Sequence, residues 1–227
     1  MSAASRFAVI GLGRFGLRLA RGLAAAGAEV TAVDSSPQAV DEVRDEVTLA
    51  VSLDATDEGA LRAQGIDKVA AAVVAIGTAF EAAALTTSIL KQIGVRRVIS
   101  RASTRTRGEI LLRIGADEIV NPEEETADRW RDRLVMPQIR EKIDLGDSHA
   151  LIQMRAPSSW AGKPLRELNI RKKYEVNVVA IRRLLATSEG ESAGFVIDTP
   201  MPDSRIETGD TLLVVGRNEA LGMLPKD

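Results

Sequence analysis

Three glycines and one carboxylate carry the clearest chemistry in this chain. Residues 7–16 read Phe-Ala-Val-Ile-Gly-Leu-Gly-Arg-Phe-Gly, and residues 29–34 read Glu-Val-Thr-Ala-Val-Asp. The first stretch is an apolar run that breaks into G-x-G-x-x-G. Gly11 permits a tight turn, Gly13 lets the backbone approach a phosphate, and Gly16 lets a helix pack closely on a strand. The N–H groups at the helix start then face an anion. Asp34 lies 18 residues after Gly16, where a carboxylate accepts from ribose hydroxyls, with Ser35 beside it. Asp34 could instead cap the next helix, a duty that Ser35 or Ser36 can also fill. The set points to an adenine nucleotide. Arg14 and Phe15 lie inside the loop. A guanidinium near a helix N-terminus opposes the helix dipole unless an anion partners it. A third phosphate would supply that partner with bidentate geometry; the alternative is a solvated helix residue.

The elements that must position these residues follow from the apolar pattern. Strand-like runs are expected at Phe7–Ile10, Val30–Val33, Val47–Val51, Val69–Ile76, Val98–Ser100 and Glu118–Val120. Helical patterns fall between them at Arg14–Ala26, Pro37–Asp45, Asp57–Gln64, Phe80–Ile93 and Arg105–Ile114. Near-continuous Val/Ile/Ala strands joined by crossover helices indicate a parallel sheet covered on both faces. The fold class is α/β: a doubly wound Rossmann sheet, followed by a small α+β unit. Gly27, Gly65, Gly94 and Gly115 each follow a helix and read as C-terminal caps.

Further residues gather where such a sheet binds its ligand. Asp54 and Ala55 close the third strand, beside the adenine; the alternative for Asp54 is a turn-forming residue. Asp57 reads as the cap of the next helix. Ala75, Ile76 and Gly77 leave the fourth strand, which abuts the first at the switch point, so their backbone passes the nucleotide. Glu81 is equally suited to the ribose and to solvent. Arg101 follows the fifth strand, where a cation can meet phosphates.

The alternation stops near residue 122. Residues 1–122 form the expected nucleotide-binding domain, 123–143 a linker or crossover helix, and 144–227 a second domain. Trp130, Leu134, Val135, Ile139 and Ile143 follow roughly helical spacing, with Pro137 kinking or ending the helix. Later strands are expected at Ala150–Met154, Asn177–Arg182, Gly194–Ile197 and Thr211–Val215, with a short helix near Leu165–Arg171. Residues 187–194 and 198–204 read as loops. Trp160 should pack the small domain. His149, the only histidine, has no evident nucleophile partner and reads as a surface or interface residue.

Composition narrows the classes. The chain has 227 residues, 45% hydrophobic, with 30 basic and 32 acidic side chains for a net charge of −2, which argues against a nucleic-acid partner. The absence of Cys excludes thiol catalysis, Cys-ligated zinc and disulfides, and fits a reducing compartment. No apolar stretch approaches the roughly 20 residues that span a bilayer. No signal peptide precedes the first strand, so a cytoplasmic location is expected.

Motifs along the whole chain carry a resemblance. Beside FAVIGLGRFG and EVTAVD stand DATDEGAL at 54–61, VAIG at 74–77, LTT at 85–87, IGADEIVNPE at 114–123, and PDSRIETGDTLLVVG at 202–216. Together they resemble the RCK (TrkA-N/TrkA-C) regulatory subunits of bacterial Trk/Ktr potassium uptake systems, closest to the KtrA-like branch. The resemblance implies a ligand-gated regulator and no catalytic residues. It implies homodimers that assemble into an octameric ring, docked on the cytoplasmic face of a TrkH/KtrB-like membrane subunit that translocates potassium. ATP or ADP would occupy the N-terminal site, with Arg14 reaching the terminal phosphate. Glu123 would help hold Mg²⁺ or Ca²⁺ near the phosphates; its alternative is an acid in a helix first turn. Cyclic di-AMP would bind the C-terminal domain around Asn169, Ile170, Arg171 and Asn177, although the loop at 183–194 departs from that branch; the alternative for these residues is a dimer interface with no ligand. Two competing readings share the opening motif: an NAD(H)-dependent oxidoreductase, and a regulator of a different potassium channel or antiporter.

Overall fold

A computed structural model of the chain describes residues 5–184 and 194–225. The chain divides into two compact units, residues 1–125 and 126–227.

In the first unit, strands β1 (Arg6–Ile10), β2 (Glu29–Asp34), β3 (Leu49–Ser52), β4 (Ala71–Val74), β5 (Arg97–Arg101) and β6 (Glu118–Val120) alternate with helices α1 (Arg14–Ala25), α2 (Pro37–Asp41), α3 (Glu58–Ala63), α4 (Phe80–Gln92) and α5 (Arg105–Ile114). The sheet order is β3-β2-β1-β4-β5-β6, all parallel. This is the doubly wound Rossmann arrangement expected from the apolar runs. Successive residues of β1 face opposite layers: Ala8 and Ile10 pack with Leu61, Ile66 and Leu90, while Val9 packs with Ala20, Val40 and Val43. Burial on both faces is why the strand lacks polar alternation. The chain crosses from β1 to β2 on one side and later to β4 on the other. The C-terminal end of β1 is therefore the switch point where an open α/β sheet leaves a crevice.

Several element ends differ from expectation. Helix α2 stops at Asp41 because i→i+3 bonds from Val43 to Val40 and from Glu46 to Val43 replace the helical ladder. Strand β4 is shorter than Val69–Ile76, and Ala75 and Ile76 leave the sheet beside Gly11.

Helix α6 (Pro122–Val135) buries none of its residues. It ends before Pro137, and β7 (Ile139–Asp144) follows. Ile139 and Ile143, expected on the helix, therefore belong to a strand, and residues 139–143 are not linker. Only Ile139 of β7 is buried, so this edge strand shows no apolar alternation to read. The second sheet has order β10-β9-β11-β8-β7, with β8 (His149–Arg155), β9 (Asn177–Leu184), β10 (Phe195–Asp198) and β11 (Thr211–Arg217), all antiparallel. The expected helix near 165–171 is two short pieces, α7 (Leu165–Leu168) and α8 (Ile170–Tyr174), because Asn169 takes a left-handed conformation between them. A last helix, α9 (Asn218–Gly222), was not expected. Trp160 packs in this core, 6.0 Å from the Tyr174 ring. His149 is exposed, with Ser148 on its Nδ1. The loop expected at 187–194 falls almost wholly outside the described residues.

Candidate functional site

Glycine geometry shapes the crevice at the switch point. Gly11 has φ +94°, a left-handed conformation that favours glycine, and a Cβ there would lie 2.9 Å from the Ile76 nitrogen. A Cβ on Gly16 would collide with the Gly11 carbonyl oxygen, so Gly16 keeps α1 against the loop. Gly13 has φ −65° with open space around it. It is therefore free of any packing demand for glycine and lies bare at the helix start.

A cleft of about 410 Å³ opens here. Of the expected residues it is lined by Gly11, Gly13, Asp34, Ser35, Asp54, Ala55, Ala75, Ile76, Gly77 and Arg101. Arg14, Phe15, Gly16 and Glu123 stand outside the lining. Arg14 is exposed and makes no ion pair among the described residues. Thr56, Thr78 and Thr86 also line the cleft. Sequence reasoning gave them no site role: Thr56 and Thr86 stand inside the DATDEGAL and LTT stretches, but a threonine does not by its type mark a binding residue.

Helix ends divide into two groups. Ser36, Asp57 and Thr104 cap α2, α3 and α5 with side-chain oxygens. Helices α1 and α4 start at Gly13 and Ala79 with no side-chain cap, and both starts border the cleft. Each uncapped start leaves N–H groups without intrahelical partners and a partial positive charge. Two such ends at one cleft favour an anion there.

Asp34 and Asp54 present carboxylates to the same space. Asp34 Oδ2 accepts from the Leu12 N–H at 2.6 Å, and its Oδ1 accepts from Ser36 at 2.8 Å. Asp54 Oδ1 accepts from the Thr56 backbone at 2.9 Å and its hydroxyl at 2.7 Å. The turn and cleft readings of Asp54 thus describe one residue. These bonds hold its carboxyl below the usual carboxylate range. Glu81 is exposed and outside the lining.

Arg101 lines the cleft with its side chain only 18% exposed, and its Nη2 donates to Glu123 Oε1. Gly77 leaves room for this arrangement, since a Cβ there would push the guanidinium aside. Among the described residues no group of three His, Cys, Asp or Glu side chains gathers as a metal site. Glu123, paired with Arg101, does not fit a cation held by protein groups alone.

In the second unit, Asn169, Ile170, Arg171 and Asn177 meet in one groove of about 400 Å³, together with Arg166, Met201 and Pro202. No helix among the described residues is long and apolar enough to cross a membrane.

Comparison with known proteins agrees with both units. Residues 7–122 match the TrkA-N domain model and residues 150–226 the TrkA-C domain model. The Ktr system potassium uptake protein C of Bacillus subtilis is 38% identical over 210 residues, 92% of this chain and 91% of that protein. The GsuK RCK domain superposes with a TM-score of 0.63 at 14% identity, across 97% of this chain and 47% of that one, a likeness of fold. The NAD(P)-binding domain of an exopolyphosphatase-related protein from Archaeoglobus fulgidus is 29% identical with a TM-score of 0.51, across 57% of this chain and 96% of that one. This chain belongs to the TrkA-N/TrkA-C family that includes the Ktr potassium uptake proteins.

Proposed function

We propose that the chain is a regulatory subunit of a potassium uptake system and senses adenine nucleotides through the cleft at the end of β1. The observation that carries this reading is the pair of uncapped helix starts at Gly13 and Ala79, set beside the Asp34 carboxylate. The helix ends suit phosphates, and the remaining lone pairs of Asp34 suit a ribose. The named function of the Bacillus subtilis relative supports a role in potassium uptake.

In this reading ATP and ADP occupy the same cleft and differ at Arg14, whose exposed guanidinium has no competing acid partner among the described residues. A ligand shifts a regulator only by its differential affinity for two states, and a charge that counts phosphates supplies the difference. The regulator acts as a homodimer within an octameric ring, on the cytoplasmic face of a membrane subunit that translocates potassium. Any Mg²⁺ or Ca²⁺ arrives with the nucleotide's phosphates as ligands. The groove at Asn169, Ile170, Arg171 and Asn177 is a candidate for cyclic di-AMP, with Arg171 as the cationic group.

A second reading, NAD(H) in the same cleft, draws support from the Archaeoglobus fulgidus domain, whose name states NAD(P) binding. A thermal-shift panel of ATP, ADP, NADH and cyclic di-AMP tests the assignment, with assembly followed by light scattering. Stabilisation by ATP and ADP with different assembly in each is the expected result. Stabilisation by NADH alone would overturn it.

A further inference from the structure

We infer that Arg101 is a phosphate-exchangeable latch: without nucleotide it holds Glu123, and a phosphate entering the cleft takes the guanidinium and releases the start of α6. The inference rests on the nucleotide reading of the cleft and adds to it a route by which occupancy is reported.

Four observations meet at this residue. Arg101 ends β5 and lines the same cleft as Gly11, Gly13 and Asp34. Its guanidinium is largely buried and has five N–H donors, yet Nε is buried without a hydrogen-bond partner. Its ion pair runs from Nη2 to one oxygen of Glu123, a carboxylate that is itself 60% exposed. Gly77 leaves the space that the guanidinium occupies over the turn after β4.

These features describe an incompletely satisfied cation. A single carboxylate oxygen leaves most of the fork unmatched, and an orphaned buried N–H carries a desolvation penalty. A phosphate offers several oxygens in a geometry that a guanidinium matches bidentately. The exposed Glu123 carboxylate regains water when it is displaced, so its loss from the pair costs little. Exchange is therefore favoured when phosphate is present.

The exchange is informative because of where Glu123 sits. It lies in the first turn of α6, the helix that continues past residue 125 into the second unit. None of the described α6 residues is buried, so few packing contacts fix its start. The Arg101–Glu123 ion pair is the only salt bridge among the described residues that ties α6 to the cleft lining.

The test uses the full chain in EDTA, with ADP, ATP and adenosine binding measured by calorimetry. Glu123→Gln removes the competitor and is expected to tighten ADP and ATP binding roughly two- to fivefold. Arg101→Gln is expected to weaken both by about tenfold or more. In the double variant the gain from Glu123→Gln should vanish, and adenosine binding should be unchanged throughout. Arg101→Met, which keeps the side-chain length without the charge, stands in where Arg101→Gln is unfolded by circular dichroism; it too should abolish the gain. Wild-type binding with no gain in Glu123→Gln, or a gain that persists without Arg101, overturns the latch alone. A wild-type chain that binds no phosphate-bearing nucleotide overturns the nucleotide reading, and the latch with it.

Discussion

Asp34 ties the end of β2 to the loop after β1: its Oδ2 accepts the Leu12 backbone N–H at 2.6 Å, across 22 residues of sequence. The same carboxylate steadies the loop that would cradle phosphate and presents its free lone pairs to a ribose. Stability and affinity are therefore coupled in one group. Asp34→Ala should cost about 1–3 kcal/mol in urea unfolding, because the half-buried Leu12 bond loses its acceptor. Nucleotide affinity should fall about tenfold or more for loss of a charged acceptor. Asp34→Asn keeps one carbonyl acceptor and should recover much of the stability and less of the affinity.

Gly13 and Gly16 should separate binding from folding. Gly16→Ala places a methyl against the Gly11 carbonyl and should destabilise the fold by about 1–3 kcal/mol, seen as a lower denaturation midpoint. Gly13→Ala meets open space at an ordinary φ of −65°. Its midpoint should change by less than about 0.5 kcal/mol, while ATP and ADP affinity drops because the backbone no longer approaches phosphate closely.

Arg14→Ala should narrow the ratio of ATP to ADP affinity while adenosine binding stays the same. The side chain is exposed and outside the cleft lining, so the melting temperature of the free protein should not move. Calorimetry of the three ligands checks this; an unchanged ATP/ADP ratio removes Arg14 from the sensor.

Acid stability should depend on Asp210 in the second unit. Burial raises its pKa, but the bidentate Arg183 bonds at 3.0 and 2.8 Å and the Glu207 N–H outweigh burial and leave it below the ordinary carboxylate value. A depressed folded pKa means that the group stabilises the fold above its unfolded pKa, and that this stabilisation is lost as pH falls through the folded value. The loss should therefore begin near pH 3.8 and grow below it. Asp210→Asn should flatten the acid limb of the stability–pH curve. Asp210→Ala removes the acceptor of two Arg183 bonds and of the Glu207 N–H, while Arg183 keeps its ion pair with Glu207, and should cost about 1–3 kcal/mol at pH 7.

The sequence by itself determined the first unit in most respects. Strands buried on both faces must be continuously apolar, and Ser36 and Asp57 mark helix starts by local hydrogen bonding. The spacing of Gly11, Gly13 and Gly16 is likewise a local requirement of one turn. These signals are readable because each depends on residues adjacent in sequence. Tertiary structure alone decided what depends on distant partners. Thr56, Thr78 and Thr86 face the cleft only because two separate crossovers, β3 to β4 and β4 to β5, converge there. Arg101 meets Glu123 across 22 residues, and its guanidinium comes to lie over Gly77, a residue far from both in sequence. Strand β7 was misread as helix because, with one buried residue, its pairing with β8 and not its own pattern makes it a strand. Backbone pairing and burial are cooperative across the sheet, so an exposed edge segment takes its conformation from its neighbour.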